Sequence, residues 1–150
     1  MAIPIQVTFD CADPDRLAHF WADLLGYQLD SPPDGYDSWE AWLEEQGIPE
    51  SEWNSASAIT DPDGKGARIF FQRVPEEKQL KNRVHLDVNV GGPRNVPIED
   101  RRAGVDAAIE RAIGIGATKV REVEERGGRH IVMQDPEGNE FCLAKIDATT

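Results

Sequence analysis

The chain has 150 residues and carries 28 acidic against 16 basic side chains, a formal net charge of −12. That length suits one compact domain or two small, closely joined halves, and so acidic a surface repels phosphate backbones, which argues against a nucleic-acid partner. No apolar run approaches the ~20 residues of a membrane span, and two cysteines, Cys11 and Cys142, make no disulfide framework, so the expected setting is a reducing cytoplasm.

Ile5 to Asp10 alternates apolar and polar residues, the period of a half-buried strand. Asp13 then offers a helix cap and Pro14 suits the first turn, where its missing N–H costs nothing. Leu17, Phe20, Trp21, Leu24 and Leu25 recur at helical spacing, and Gly26 marks the stop. A second strand is expected at Tyr27 to Leu29. The stretch 37–53 holds three of the four tryptophans, with Trp39, Trp42 and Leu43 on one face of a short helix closed by Gly47 and Pro49. Ser55 to Thr60 and Ala67 to Arg73 read as a strand pair joined by Asp61-Pro62-Asp63-Gly64. The charged connector 75–82 is the natural boundary between halves.

Arg83 to Asn89 restarts the alternation. Gly91-Gly92-Pro93 opens a long loop, and Val105, Ala108, Ile109, Ala112 and Ile113 mark a second amphipathic helix ended near Gly114 and Gly116. Thr118 to Val123, His130 to Met133 and Glu140 to Lys145 supply three more strands. The turn phrase returns as Asp135-Pro136-Glu137-Gly138, again leading into an apolar strand, as an internal repeat would. In both halves the first strand sends its apolar set (Ile5, Val7, Phe9; Val84, Leu86, Val88) one way. Its polar set (Gln6, Thr8, Asp10; His85, Asp87, Asn89) points the other way. Two such polar faces opposed would wall a wet cavity. The Asp-Pro turns lack the further oxygen ligands of a calcium loop, and the Arg101-Arg102 pair reads as solvated helix-surface charge.

The phrases Asp10-Cys11-Ala12-Asp13-Pro14 with Phe20-Trp21, Val74-Pro75-Glu76, Lys81-Asn82-Arg83-Val84-His85-Leu86-Asp87 and Asp135-Pro136-Glu137-Gly138-Asn139-Glu140-Phe141-Cys142 together resemble the vicinal oxygen chelate superfamily of glyoxalases, bleomycin-resistance proteins and dioxygenases. The resemblance implies an α+β fold, a single glyoxalase-like domain of two βαβββ modules forming a pseudo-symmetric half-open barrel. Module one spans 3–75 with the aromatic insertion 37–53, and module two spans 82–146. It also implies a homodimer that takes a small molecule, with neither membrane nor nucleic acid as partner.

In metal-using relatives the ligands come from the first and last strand of each module. Carried over by position, Gln6 and His85 take the first-strand places, Cys142 stands where a glutamate is usual, and the module-one counterpart is Phe70 or Gln72. Glu140, two residues from Cys142, is a substitute carboxylate. An amide, an imidazole and a thiol make a degraded ligand set for a divalent cation. The expectation is therefore a protein without an essential metal that binds a small, partly aromatic molecule through Gln6, Thr8, Phe70, Gln72 and Cys142, with Trp39 and Trp42 over the mouth. The alternative is a divalent-metal lyase, isomerase or dioxygenase holding zinc, nickel, iron or manganese on Gln6, His85, Glu140 and Cys142. His85 with Asp87 is the candidate acid–base pair, since a neighbouring carboxylate raises imidazole basicity; a pair that only fixes the sheet is the competing reading.

Overall fold

A computed structural model of the protein describes residues 1–125 and 128–147. The chain divides into two compact units, Met1–Glu77 and Lys78–Thr150. In the first, β1 (Gln6–Cys11), α1 (Pro14–Leu25), β2 (Gln28–Leu29), α2 (Trp39–Glu45), a short 3-10 helix (Glu50–Glu52), β3 (Ala56–Thr60) and β4 (Arg68–Arg73) follow in order. The sheet runs β1-β4-β3-β2, with β1 parallel to β4 and the other pairs antiparallel.

Helix α1 forms where the sequence places it. Asp13 accepts from Arg16 N at 3.2 Å, Pro14 occupies the first turn, and Gly26 closes the helix at φ 72°, a conformation that costs a Cβ-bearing residue energy. Its stripe of Leu17, Ala18, Phe20, Trp21 and Leu24 is buried. The core it joins contains Ile59, Ile69 and Phe71, and Phe9 links helix to sheet, its ring centroid 5.3 Å from that of Trp21 and 5.4 Å from that of Phe71. Alternation then puts Gln6, Thr8 and Asp10 of β1 beside Arg68, Phe70 and Gln72 of β4 on the opposite sheet face.

The second unit repeats the plan: β5 (Asp87–Val88), α3 (Ile98–Gly114), β6 (Thr118–Glu125), β7 (Gly128–Gln134) and β8 (Glu140–Asp147). Its sheet runs β5-β8-β7-β6 with β5 parallel to β8, the same order position for position. Val105, Ile109 and Ala112 of α3 are buried, as are Ile131, Met133, Phe141 and Leu143 of the sheet. Two βαβββ modules of α+β class are therefore present, as expected. The two Asp-Pro turns are also built alike. Asp61 accepts from the backbone N–H of Asp63, Lys65 and Gly66 at 2.8–3.0 Å, and Asp135 from those of Glu137 and Asn139 at 2.9 Å. Each carboxylate is thus engaged by its own turn, and those N–H donors hold the Asp61 carboxyl below its ordinary pKa.

Two expectations need correction, and one helix runs further than its apolar stripe marks. Strand β5 pairs only at Asp87 and Val88, although Arg83 to Asn89 alternates throughout; Val84, expected to point onto a helix, is 81% exposed. The segment before β5 is held by a side chain instead of a ladder, the Glu140 carboxylate accepting from Asn82 N at 2.9 Å. Helix α3 begins at Ile98, seven residues ahead of its apolar stripe, with Glu99 and Asp100 in a first turn whose dipole favours them. Arg101 is no solvated charge: it is 8% exposed, and its Nε donates to Gly91 O at 3.3 Å, tying the glycine loop to the helix. Among the described residues no helix is long and apolar enough to cross a membrane.

Candidate functional site

Within the first unit, the aromatic insertion and the sheet line a half-open cavity of about 740 Å³. Trp39 and Trp42 of α2 and Trp53 form aromatic walls, and Leu29, Ala56, Ala58 and Phe70 supply an apolar floor from β2, β3 and β4. The rings are fixed by their nitrogens. Trp39 Nε1 donates to Asp30 O at 2.8 Å and Trp53 Nε1 to Ile48 O at 2.9 Å. Trp39 and Trp42 meet edge to face, centroids 5.8 Å apart and planes at 89°, so together they make a corner. The insertion is anchored where it rejoins the sheet: Asn54 donates to Asp13 Oδ1 at 2.8 Å and accepts from Asp15 N at 2.8 Å. The amide of Asn54 is the main reason the Asp13 carboxyl is held below its ordinary pKa.

Polar groups enter from two sides. Arg68 reaches the cavity from β4 with its charge already matched, Nε and Nη2 donating to Asp30 Oδ2 at 2.9 and 2.7 Å and Nη1 to Gln6 Oε1 at 2.7 Å. Its guanidinium carbon lies 5.7 Å from the Phe70 ring centroid, within reach of a cation–π contact. Thr60 Oγ1 donates to Asp30 Oδ1 at 3.1 Å and fixes the carboxylate further. Asp15, His19 and Glu40 line the cavity as well.

The second unit gathers a different set. Asp87 of β5 sits directly opposite Cys142 of β8 in the parallel ladder, and His85, two residues ahead on the approach to β5, comes beside them. The result is three potential ligand atoms, from His85, Asp87 and Cys142, all within 4.8 Å of one another, with His85 Nδ1 3.2 Å from Asp87 Oδ1. Burial, followed by the charge of Asp87, pushes the Cys142 thiol above its ordinary pKa; at neutral pH it is a protonated thiol and no ready nucleophile.

Of the residues read from sequence, Trp39, Trp42 and Phe70 line the cavity, and Gln6 touches its wall through Arg68. Thr8 and Gln72 share that sheet face outside the cavity lining, Gln72 donating to Asp10 Oδ1 at 2.7 Å. Glu140 is occupied elsewhere. Burial acts to raise its carboxyl, but hydrogen bonds from Asn82 N and the Lys78 ammonium outweigh that and hold it below its ordinary pKa. Sequence reasoning gave no role to Asp30, Arg68 or His19. The alternation that selects Phe70 and Gln72 also selects Arg68, so that signal was present; the Asp30 partnership spans 38 residues and has no local trace.

A family model described as a glyoxalase-like domain matches residues 6–144. The chain belongs to this family. It is thereby a glyoxalase-like member of the vicinal oxygen chelate superfamily. Solved structures agree on the fold. A glyoxalase/bleomycin resistance protein/dioxygenase family enzyme from Burkholderia phytofirmans superimposes with TM-score 0.58 at 17% identity, over 92% of this chain and 94% of that one. A variant of the fosfomycin resistance protein FosX from Listeria monocytogenes, complexed with manganese(II) and a dihydroxypropylphosphonic acid, gives 0.59 at 16% identity, over 96% and 90%. A possible glyoxalase from Bacillus cereus gives 0.57 at 12%, over 96% and 99%. Among curated proteins no sequence matches this glyoxalase-like chain significantly.

Proposed function

We propose that this glyoxalase-like protein is a cytoplasmic homodimer that binds a small, partly aromatic molecule and needs no metal to do so. The tryptophan-walled cavity of the first unit carries this reading. Its volume and mainly apolar lining suit a compact organic ligand. Burial against Trp39, Trp42, Trp53 and Phe70 supplies affinity, while Asp30 and Arg68, locked to each other with Gln6 bracing the guanidinium, present fixed polar groups that orient the guest. Because the indole nitrogens of Trp39 and Trp53 are engaged by backbone carbonyls, those rings are preorganised and lose little freedom on binding.

The neutral aromatic 2-naphthalenemethanol tests the reading. It should give saturable calorimetric binding and a change in tryptophan emission, both unaltered by a chelator, and Trp42→Ala should weaken binding about tenfold through lost aromatic burial. Absence of saturable binding in the parent protein sinks the reading.

The convergence of His85, Asp87 and Cys142 favours a second reading, a metal-dependent lyase, isomerase or dioxygenase. Imidazole nitrogen, carboxylate oxygen and sulfur are all zinc donors, and three protein ligands with one open position is the pattern of catalytic zinc. The residues thus fit such an ion in type, with Gln6 and Glu140 engaged by other partners. His85, Asp87 and Cys142 would hold the cation, which would supply Lewis-acid polarisation of a substrate oxygen. Under this reading zinc uptake at neutral pH releases about one proton, because the Cys142 thiol must ionise, and Cys142→Ser lowers zinc affinity at least about tenfold. Equal affinity in parent and variant rules the reading out.

A further inference from the structure

We infer that the cavity of the first unit selects an organic cation, an ammonium group carried on an aromatic body. The inference rests on the binding role proposed for that cavity and adds the charge of its ligand. Three carboxylates line the cavity, Asp15, Asp30 and Glu40, against one guanidinium, that of Arg68. Carboxylates and guanidinium alone leave a balance of two negative charges, with His19 beside Asp15 at 3.5 Å, inside a chain whose own net charge is −12.

Arg68 does not offset this in favour of anions. Three of its five N–H donors already go to Asp30 or Gln6, and its charge is paired with the Asp30 carboxylate at 2.7 Å before any guest arrives. A carboxylate-bearing guest would share Arg68 with Asp30 and stand among the charges of Asp15, Asp30 and Glu40.

The aromatic walls favour the same sign. Trp39 and Trp42 stand at 89° to one another with centroids 5.8 Å apart, two faces of a corner in which a compact cation meets ring π-density from more than one side. Indole is the most favourable aromatic partner for a cation, and quaternary ammonium groups are typically recognised in cages of this kind. The Trp39 N–H edge, the positive side of that ring, is turned onto the Asp30 carbonyl. The cavity already holds one cation over a ring, Arg68 on Phe70.

Three probes sharing a naphthalene body decide the matter: 2-naphthylmethyl-trimethylammonium, neutral 2-naphthalenemethanol and anionic 2-naphthoate, each titrated calorimetrically into the full chain. The cation should bind about tenfold tighter than the neutral probe, and the anion weakest. Glu40→Gln together with Asp15→Asn, both on exposed side chains, should lower the ratio of cation to neutral-probe affinity several-fold. Equal or tighter binding of the neutral probe or the anion overturns the inference and leaves the aromatic cavity as a binding site. A preference untouched by the double variant overturns the part assigned to Asp15 and Glu40. Binding of none of the three overturns both this inference and the reading beneath it.

Discussion

Phe71→Ala is expected to destabilise the protein by about 3–5 kcal/mol, the usual cost of emptying a phenylalanine site in a packed core. The side chain is fully buried beneath α1 and in contact with Phe9, and a domain of this size has only about 5–15 kcal/mol to lose. Phe70→Ala, one residue earlier on the same strand, should behave differently. Phe70 is part-buried and lines the cavity, so its truncation should lower the affinity for 2-naphthalenemethanol about tenfold and change stability by only about 1 kcal/mol. Urea unfolding and calorimetric titration of the two variants separate the effects. Large destabilisation by both, or lost binding without lost stability in Phe71→Ala, would contradict the assignment of the two faces of β4.

The second large effect concerns Arg129. Its side chain is 11% exposed and joins two elements of the second unit, donating from Nε to Glu122 of β6 at 2.6 Å and from Nη2 to Asp106 of α3 at 2.8 Å. Arg129→Met keeps the stem and removes the charge. Two charge-assisted hydrogen bonds are lost, but Asp106 is 62% exposed and screened by solvent, so the expected cost at pH 7 is about 2 kcal/mol. The pH dependence follows from Glu122, whose carboxyl is held below its ordinary 4.5 chiefly by the hydrogen bond from Arg129. A depressed carboxyl contributes stability that is full above about pH 4.5 and is lost as pH falls through the lower folded value. The gap between parent and Arg129→Met should therefore be widest near neutrality and narrow on acidification, as urea midpoints across that range would record. A gap that grows in acid would refute the pairing.

Much of the scaffold was legible because its signals are local. Asp13, Pro14 and Gly26 delimit α1 by cap chemistry that needs no distant partner, and the twin Asp-Pro turns announce themselves by the N–H groups their carboxylates collect. The misread segments depend on distant partners. Val84 continues a faultless alternation, but Glu140, from the far end of the second unit, holds the approach to β5 and leaves that side chain in solvent. Arg101 looks like half of a surface pair until the Gly91 carbonyl is placed beside it. The site divides the same way. Three clustered tryptophans point to an aromatic wall from sequence alone, whereas the pairing of Arg68 with Asp30 exists only once β2, β3 and β4 lie side by side.

Strand β4 buries odd-numbered residues 69 and 71 in the core and turns even-numbered residues 68 and 70 to the cavity. Under the proposed binding role, ligand preference would drift by single substitutions at 68 and 70 without endangering the interior. A one-residue insertion or deletion in the tight loop at 61–66 has the opposite character: if compensated by a slip of the strand, it would turn phenylalanine and isoleucine outward and arginine inward at a stroke. Variants that diversify what this protein holds should accordingly arise by replacement along the strand, with the length of that loop kept constant.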